Sequence, residues 1–390
     1  MPPQPPPFGV YVHAPWCKVR CPYCAFNVYP DRDARWQDWA DGVRREWALR
    51  AADCPDPAHS VYFGGGTPSL APPALLAGIL AALPVTPDVE VTVEVNPGTA
   101  SEGRLAELID AGVNRLSLGI QTFSTRHARI LNRGHSVREA RDLLRHVAAL
   151  PLRSWSADLI FALPGQTLTE LDQDLDALLA AQPPHVSLYG LTFEPGTPLT
   201  RALERGRLVE ADEDTWRAMF DRIRLRLAEA GYCAYEVSNH ALPGHRSRHN
   251  EAVWRGGAYA GLGPGAHGLL PDGARTENHA SVEAWLADPL GARAHPTAAQ
   301  AATDHVLTRL RHCDGIDGDA LLDATGHALD PDAVGRLVAA ELLEIRGARV
   351  ALTHEGMAVA DGVVRHLAAT LRPRGGPEGR AGTPQVPPPS

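Results

Sequence analysis

Three cysteines fall within eight residues, in the run Cys17-Lys18-Val19-Arg20-Cys21-Pro22-Tyr23-Cys24. This CxxxCxxC spacing lets one loop wrap three thiolates around a single region of space. Three thiolates are one short of closing a 4Fe-4S cluster, and the open iron can take a small molecule, which suits chemistry on that molecule. The same residues could instead hold zinc, with His13, His59 or another histidine as the fourth ligand. A second feature is Gly64-Gly65-Gly66-Thr67-Pro68-Ser69, where the missing side chains let the polar end of a ligand approach the backbone. It is not a phosphate-cradling P-loop, because no Gly-Lys-Ser/Thr follows. The run Gly263-Pro264-Gly265-Ala266-His267-Gly268 formally matches GxGxxG. No strong strand precedes it and no helical pattern follows, so no dinucleotide site is expected there. Cys54, Cys233 and Cys313 carry no motif and are expected to be small packing residues.

Such loops need rigid elements to position them. Apolar segments rich in β-branched and aromatic residues recur at Gly9 to His13, Ser60 to Phe63, Val89 to Val95, Val113 to Leu118, Ser154 to Phe161 and Val186 to Thr192. Each reads as a buried strand. Helical patterns lie between them, near 31–52, 72–83, 101–111, 136–149 and 168–181, with a further one near 212–230. In the first, Trp36, Trp39, Val43 and Trp47 fall on one face. Six strands alternating with helices predict an α/β protein with a parallel sheet. A partial (β/α)6 TIM-like barrel is favoured, because the candidate site residues lie at or just after strand ends.

The expected organisation is a Pro-rich segment 1–8, a barrel 9–230, an extension 231–295 rich in Gly and His, a C-terminal domain 296–372 and a disordered tail 373–390. Short helices near 298–312, 317–325 and 331–341, then Leu343 to Ile345 and Arg349 to Leu352 around Gly347, predict a winged-helix-like α+β module. Residues 301–372 hold seven Arg against eleven Asp and Glu, a net of −4 and a poor DNA-binding surface.

The whole chain, at 390 residues and a formal charge of −9, offers no broad cationic surface for nonspecific nucleic-acid or anionic-membrane binding. No apolar run approaches the roughly 18 to 20 residues that span a bilayer. The opening Met1-Pro2-Pro3-Gln4-Pro5-Pro6-Pro7 lacks the basic and apolar regions of a signal peptide. Clustered rather than spread cysteines suit a reducing compartment, so a cytoplasmic location is expected.

Six ordered motifs carry a family resemblance: YVHAPWCKVRCPYCAFN at 11–27, FGGGTPS at 63–69, VEVNPGT at 93–99, GVNRLSLGIQTF at 112–123, LNRGH at 131–135 and DLIFALPGQT at 158–167. Over nearly all of residues 8–370 the chain resembles the radical S-adenosylmethionine (SAM) superfamily, within it the oxygen-independent coproporphyrinogen III oxidase-like family. The resemblance implies that Cys17, Cys21 and Cys24 bind a 4Fe-4S cluster whose fourth iron is chelated by SAM. An electron from the cluster would then cleave the sulfonium, with the protein supplying orientation and shielding. By similarity Tyr11, Tyr23, Gly65, Gly66, Thr67, Glu94, Gln121, Arg133, Asp158, Thr192 and the 263–267 loop with His267 surround SAM. Glu94 and Asp158 can accept from ribose hydroxyls or an amine, and Arg133 can pair with a carboxylate. Helix capping by the two acids and a surface ion pair for Arg133 are the structural alternatives.

Two departures separate the chain from the coproporphyrinogen III dehydrogenases. Those enzymes resemble CxxxCxxCxC, whereas the position of the further cysteine is Phe26 here. They also carry an N-terminal extension that helps enclose the porphyrin. Both features are similar to the HemW branch, which implies heme binding and transfer to acceptor proteins such as respiratory enzymes, with the cluster and an exchangeable SAM. An electron donor such as flavodoxin or ferredoxin and transient membrane-protein contact are also implied; no catalytic residue is assigned. That branch's heme motif resembles HNxxYW, and the chain has His249-Asn250-Glu251-Ala252-Val253-Trp254, with Val253 where the family has tyrosine. His249 would be the axial ligand and Trp254 a packing surface for the porphyrin. His240, His245 and His267 are alternative ligands. The competing functions are a radical SAM enzyme acting on a porphyrin and a zinc-stabilised interaction scaffold.

Overall fold

The computed structural model describes residues 6–374; residues 1–5 and the expected tail from 375 onward lie outside the described residues. Two compact units are present: the chain up to Val253 together with Gly257–His295, and Trp254–Gly256 together with the chain from Pro296 onward.

In the first unit, β1 (Gly9–Ala14), β2 (Ala58–Gly65), β3 (Val85–Val95), β4 (Arg115–Gln121), β5 (Ser154–Phe161) and β6 (His185–Gly190) pair side by side in parallel. Shorter strands come next in the chain: β7 (Cys233–Ala234), β8 (Asn239–Ala241), β9 (Tyr259–Leu262), β10 (His267–Leu269), β11 (Arg275–Glu277) and β12 (Ala292–Ala294). The spatial order is β12-β11-β10-β9-β1-β2-β3-β4-β5-β6-β8-β7. β9 joins β1 in parallel, so the parallel run has one strand more than the six expected. A strand therefore does precede the Gly263–Gly268 run, contrary to the sequence reading. Tyr-Ala-Gly-Leu has no β-branched residue and only four positions, which hid it. The glycine run leads into β10 and not into a helix, so it still lacks the setting of a dinucleotide site.

Alternation explains the sheet. Val10, Val12, Val61, Phe63, Val91, Val93, Leu116, Leu118, Ala157, Leu159, Val186 and Leu188 are almost fully buried on the face opposite the lumen. Each large apolar side chain so buried contributes about 1.5–3 kcal/mol relative to exposure. Intervening positions are polar: Tyr62, Glu94, Arg115, Ser117, Asp158, His185 and Ser187 line the lumen. Helices spanning Trp36–Arg50, Pro73–Ala82, Glu102–Asp110, Val137–Val147, Leu168–Ala180 and Glu213–Glu229 alternate with the strands. Ser136 with Glu139 and Thr167 with Glu170 form capping boxes that start two of them. This is the partial α/β barrel that the strand pattern predicts.

Glu46, fully buried on the Trp36–Arg50 helix, ties that helix to the 263–278 region. Its carboxylate accepts from Arg50 Nε at 2.9 Å, Trp285 Nε1 at 2.9 Å, Asn278 Nδ2 at 2.8 Å and the Gly263 N–H at 2.9 Å. Four donors on one carboxylate offset the cost of burying its charge.

The second unit contains helices Ala298–Arg311, Gly318–Thr325 and Pro331–Ala339, then a hairpin of Leu343–Arg346 and Arg349–Leu352 turning at Gly347. Ile316–Asp317 pairs with the second hairpin strand, giving the winged-helix-like arrangement. Two helices that the sequence reading omitted, His354–Ala358 and Ala360–Ala369, complete it. Arg372–Pro373, which spans the boundary with the tail expected from 373, pairs with His327–Ala328, so Pro373 is ordered and not part of a disordered tail. Phe8, at the end of the Pro-rich opening, is buried and accepts the His59 N–H at 2.9 Å. No helix among the described residues is long and apolar enough to cross a membrane.

Replacing Glu46 by Ala strands the Arg50 charge and the donors from Trp285, Asn278 and Gly263. The expected loss is about 3–5 kcal/mol in urea unfolding.

Candidate functional site

A cavity of about 470 Å³ opens at the C-terminal ends of β1 to β6 and runs down the lumen to Arg115 and His185, the first residues of β4 and β6. Cys17, Cys21 and Cys24 all line it, with Tyr23, Gly65, Gly66, Thr67, Glu94, Gln121, Arg133, Asp158 and Thr192.

The cysteine loop leaves β1 and is closed by a two-residue parallel pairing of Trp16–Cys17 with Tyr29–Pro30. A tight turn donates the Cys24 N–H to the Cys21 carbonyl at 3.1 Å, and Thr67 Oγ1 lies 3.5 Å from Cys17 Sγ. Burial pushes the Cys17 thiol up to about 11 and also raises that of Cys24. Ionising these thiols therefore needs a metal or cluster that stabilises thiolate, and loading will release protons.

The glycine turn at the end of β2 sits directly beneath the loop. The Gly66 N–H donates to the Ala14 carbonyl at 2.7 Å and the Thr67 N–H to the Trp16 carbonyl at 2.8 Å. A Cβ on Gly66 would lie 2.5 Å from the Trp16 carbonyl oxygen, which only glycine avoids. Gly65 adopts φ +103° and donates to Glu94 Oε2 at 3.1 Å. Tyr62 donates to the other oxygen at 3.0 Å. Burial lifts the Glu94 carboxyl to about 7, with the nearby Asp158 charge adding to the rise. Asp158, raised by burial, accepts from Ser117 Oγ at 3.1 Å and Ser156 Oγ at 3.0 Å. Neither acid caps a helix. Arg133 makes no surface ion pair: its guanidinium donates to Tyr23 Oη and Asn96 Oδ1 inside the cavity.

Gln121 reaches the cavity from a left-handed backbone conformation, φ 70°. Asp174 holds the adjoining turn, accepting the Phe123 N–H at 2.7 Å and Thr122 Oγ1 at 2.7 Å. Sequence reading missed Asp174, although a buried acid in line with Leu171, Leu175 and Leu178 is the sign of an internal partner. It also missed His185, just before a segment read as apolar, and Tyr62, Arg115, Ser117, Ser187 and Tyr189, the alternate polar positions within such segments.

Tyr11 and His267 are not among the residues lining the cavity. Tyr11 Oη lies 3.0 Å from His13 Nδ1, and His13 Nε2 lies 2.9 Å from the Asn27 carbonyl. Asn27 donates in turn to the Pro264 and Ala280 carbonyls at 3.1 and 2.8 Å. The 263–267 segment thus braces the cysteine loop from behind, and His267 is exposed.

The expected heme strip is divided. Helix Arg248–Trp254 turns about 100° per residue, so positions 249 and 254 leave on faces about 140° apart. His249 is buried beside Tyr62, ring centroids 5.3 Å apart, with Nδ1 3.0 Å from Ser60 Oγ. Its Nε2 has no hydrogen-bond partner among the described residues, and burial, with the Arg115 charge, pulls its pKa down to about 4. Asn250 lines the cavity. Trp254 belongs to the second unit, where the Arg311 guanidinium lies 5.4 Å from its ring centroid. His240 is buried and neutral, its pKa pulled down to about 3, while His245 Nδ1 lies 3.2 Å from Ser154 Oγ.

Neither histidine named for the fourth zinc position lines the cavity with the cysteines. Both His13 nitrogens are engaged, and His59 contacts Arg248. The only group of three His, Cys, Asp or Glu ligand atoms within 4.8 Å of one another among the described residues is His312, Cys313 and Asp314. At least one pair of the loop sulfurs is therefore more than 4.8 Å apart, beyond the roughly 3.8 Å that Zn–S bonds of about 2.3 Å require in a tetrahedron. A larger inorganic cluster suits that spread. Of the remaining cysteines, Cys54 is buried and Cys313 half-buried, but Cys233 is exposed at the sheet edge and is no packing residue.

A model of the radical SAM superfamily matches residues 11–178. The heme chaperone HemW of Mycobacterium tuberculosis (strain ATCC 25618 / H37Rv) is 36% identical over 380 residues, spanning 93% of this chain and 95% of that protein. The chain belongs to the HemW family. HemW of Escherichia coli (strain K12) is 38% identical over 276 residues, 69% of this chain and 72% of that one. The solved structure of coproporphyrinogen III oxidase (HemN) from Escherichia coli, a radical SAM enzyme, shares the fold: TM-score 0.79, 20% identity, covering 93% of this chain and 90% of that one. Three thiols lining one cavity are a donor set that fits a cluster with one iron left open to a ligand.

Gly66→Ala pushes a methyl group into the Trp16 carbonyl. We expect a loss of about 1–3 kcal/mol on urea unfolding, together with lowered iron content after anaerobic reconstitution.

Proposed function

We propose that this HemW-family protein is a heme chaperone that binds heme and passes it to acceptor proteins in the cytoplasm. In this reading it carries a 4Fe-4S cluster on Cys17, Cys21 and Cys24 and an exchangeable SAM in the barrel cavity. The observation that carries the reading is similarity to a HemW heme chaperone over 93% of the chain, supported by a barrel cavity lined by all three thiols.

The bound cluster and SAM together supply one-electron chemistry at a sulfonium. The chain's own groups do the rest. Arg133, fixed by Tyr23 and Asn96, offers a charge to a ligand carboxylate. Glu94 and Asp158, each held by hydroxyl donors, present acceptor oxygens to hydroxyls or an amine. His249 would ligate heme iron through Nε2, since it is neutral and the Ser60 contact at Nδ1 fixes its ring; the side chain is buried and does not itself line the cavity. Electron delivery by a flavodoxin or ferredoxin and acceptors such as respiratory enzymes complete the proposal. Phe26, 66% exposed, stands where the coproporphyrinogen dehydrogenases have a further cysteine, which weighs against that activity.

Titration of purified protein with heme, followed by visible absorption, is expected to saturate at about one heme per chain. His249→Ala should lose most of that affinity. An unaltered titration removes His249 as ligand, and no saturable binding removes the chaperone reading.

Because Glu94 ionises near 7, affinity for cationic SAM should rise several-fold from about pH 6 to about pH 8, as the neutral acid becomes a carboxylate. Glu94→Gln should flatten that profile in equilibrium dialysis.

A further inference from the structure

Arg115 is buried to 1% exposure at the base of the lumen, yet its Nε has no hydrogen-bond partner among the described residues. The nearest carboxylate oxygen, on Glu90, is 4.0 Å from Nε, too long for a hydrogen bond. A buried guanidinium with unmet donors is costly and asks for a partner. Glu90, itself buried, pairs with Arg115 in charge across that distance but leaves Nε without a hydrogen bond. His185 is neutral and already engaged at both ring nitrogens, with Ser156 Oγ at 2.9 Å and Tyr235 Oη at 2.8 Å. His249 is neutral, and Asp158 is occupied by Ser117 and Ser156.

Arg115 also lines the same cavity as the cysteine loop, at a different depth from Arg133. A Cβ on Gly119 would lie 2.5 Å from Arg133 Nη2, so that guanidinium sits at the level of Gly119. Arg115 starts the same strand four residues earlier, about 13 Å deeper at about 3.3 Å per residue. Glu94, paired in register with Ser117, lies between the two cations, and Asp158, paired with Gly119, lies at the level of the upper one. Asn250 lines the cavity as well, and its side-chain amide has no hydrogen-bond partner among the described residues. The lumen therefore carries one cation near its mouth, with both acids at or below that level, and a second cation at its floor. One ligand's carboxylate at Arg133 leaves the lower guanidinium unanswered.

We propose that Arg115, with the Asn250 amide, is a second carboxylate-recognition point that holds an organic acid at the floor of the barrel, beneath the SAM position. The acid is either a propionate of heme, which rests on the chaperone reading, or a small free carboxylic acid, which does not. A guanidinium donating to carboxylate forms charge-assisted, often bidentate bonds, so removing the acid's charge costs at least about tenfold in affinity.

Two measurements on the reconstituted holoprotein test this. The first compares titrations with heme and heme dimethyl ester for wild type, Arg115→Met and Arg115→Lys. Heme is expected to bind about tenfold tighter than its ester to wild type, with the gap closed by Arg115→Met and largely kept by Arg115→Lys. A merely structural arginine would shift both ligands together. The second labels wild-type Arg115 with phenylglyoxal and reads it by mass spectrometry, so it stands even if the variants do not fold. Protection by heme assigns the acid as a propionate. Protection by succinate, with heme and its ester bound equally, assigns a small acid. Labelling unaffected by either compound, with no preference for the acid form of heme, overturns the inference while leaving the chaperone reading intact if heme still saturates. Absence of heme binding defeats the chaperone reading alone, and succinate protection then decides the inference.

Discussion

Charge held out of water inside a curled parallel sheet is the constraint on which the molecule depends. The outward face of each strand is apolar and covered, which stabilises the sheet. The inward face carries Glu94, Asp158, Arg115 and Arg133, side chains that are costly to bury without donors, acceptors or a ligand. Serine and tyrosine hydroxyls serve the two acids. The arginines are served less completely, Arg133 through two partners and Arg115 with no hydrogen-bond partner for its Nε among the described residues. Such imbalance is how a fold leaves room for a ligand's own charges.

The cysteine loop is held by relays that begin far from it. Glu46 fixes Gly263, the adjoining Pro264 carbonyl and that of Ala280 hold Asn27, and the Asn27 carbonyl meets His13 near the end of β1. From below, the Gly66 and Thr67 N–H groups close the start of the loop against the sheet. Both ends of the thiol-bearing segment are thus fixed to the barrel, while the three sulfurs remain in contact with the cavity. A preorganised loop of this kind limits the conformational cost of gathering ligands around a cluster.

Much of this was legible in the sequence because its signals are local. Ser154–Phe161 and Arg349–Leu352 were read to the residue, since apolar alternation and a glycine turn specify them without help from distant contacts. The cysteines and glycines at the mouth announced themselves by type and spacing. β9 did not, because Tyr-Ala-Gly-Leu owes its strand state to pairing with β1 and β10 and not to propensity. Nor did the floor of the cavity: Arg115 in Asn-Arg-Leu-Ser-Leu looks like a strand-end residue facing water until the sheet curls around it. The heme motif illustrates the reverse, a pattern contiguous in sequence whose members a short helix sends to different faces.

Everything at the mouth of the barrel rests on three sulfurs holding an inorganic cluster with one iron left for a ligand. Anaerobic reconstitution followed by iron and sulfide counting, with electron paramagnetic resonance of the reduced protein before and after adding SAM, tests this most directly. The account predicts about four irons and four sulfides per chain and a spectrum that changes on SAM addition. Zinc in place of iron, or a cluster spectrum indifferent to SAM, would contradict it.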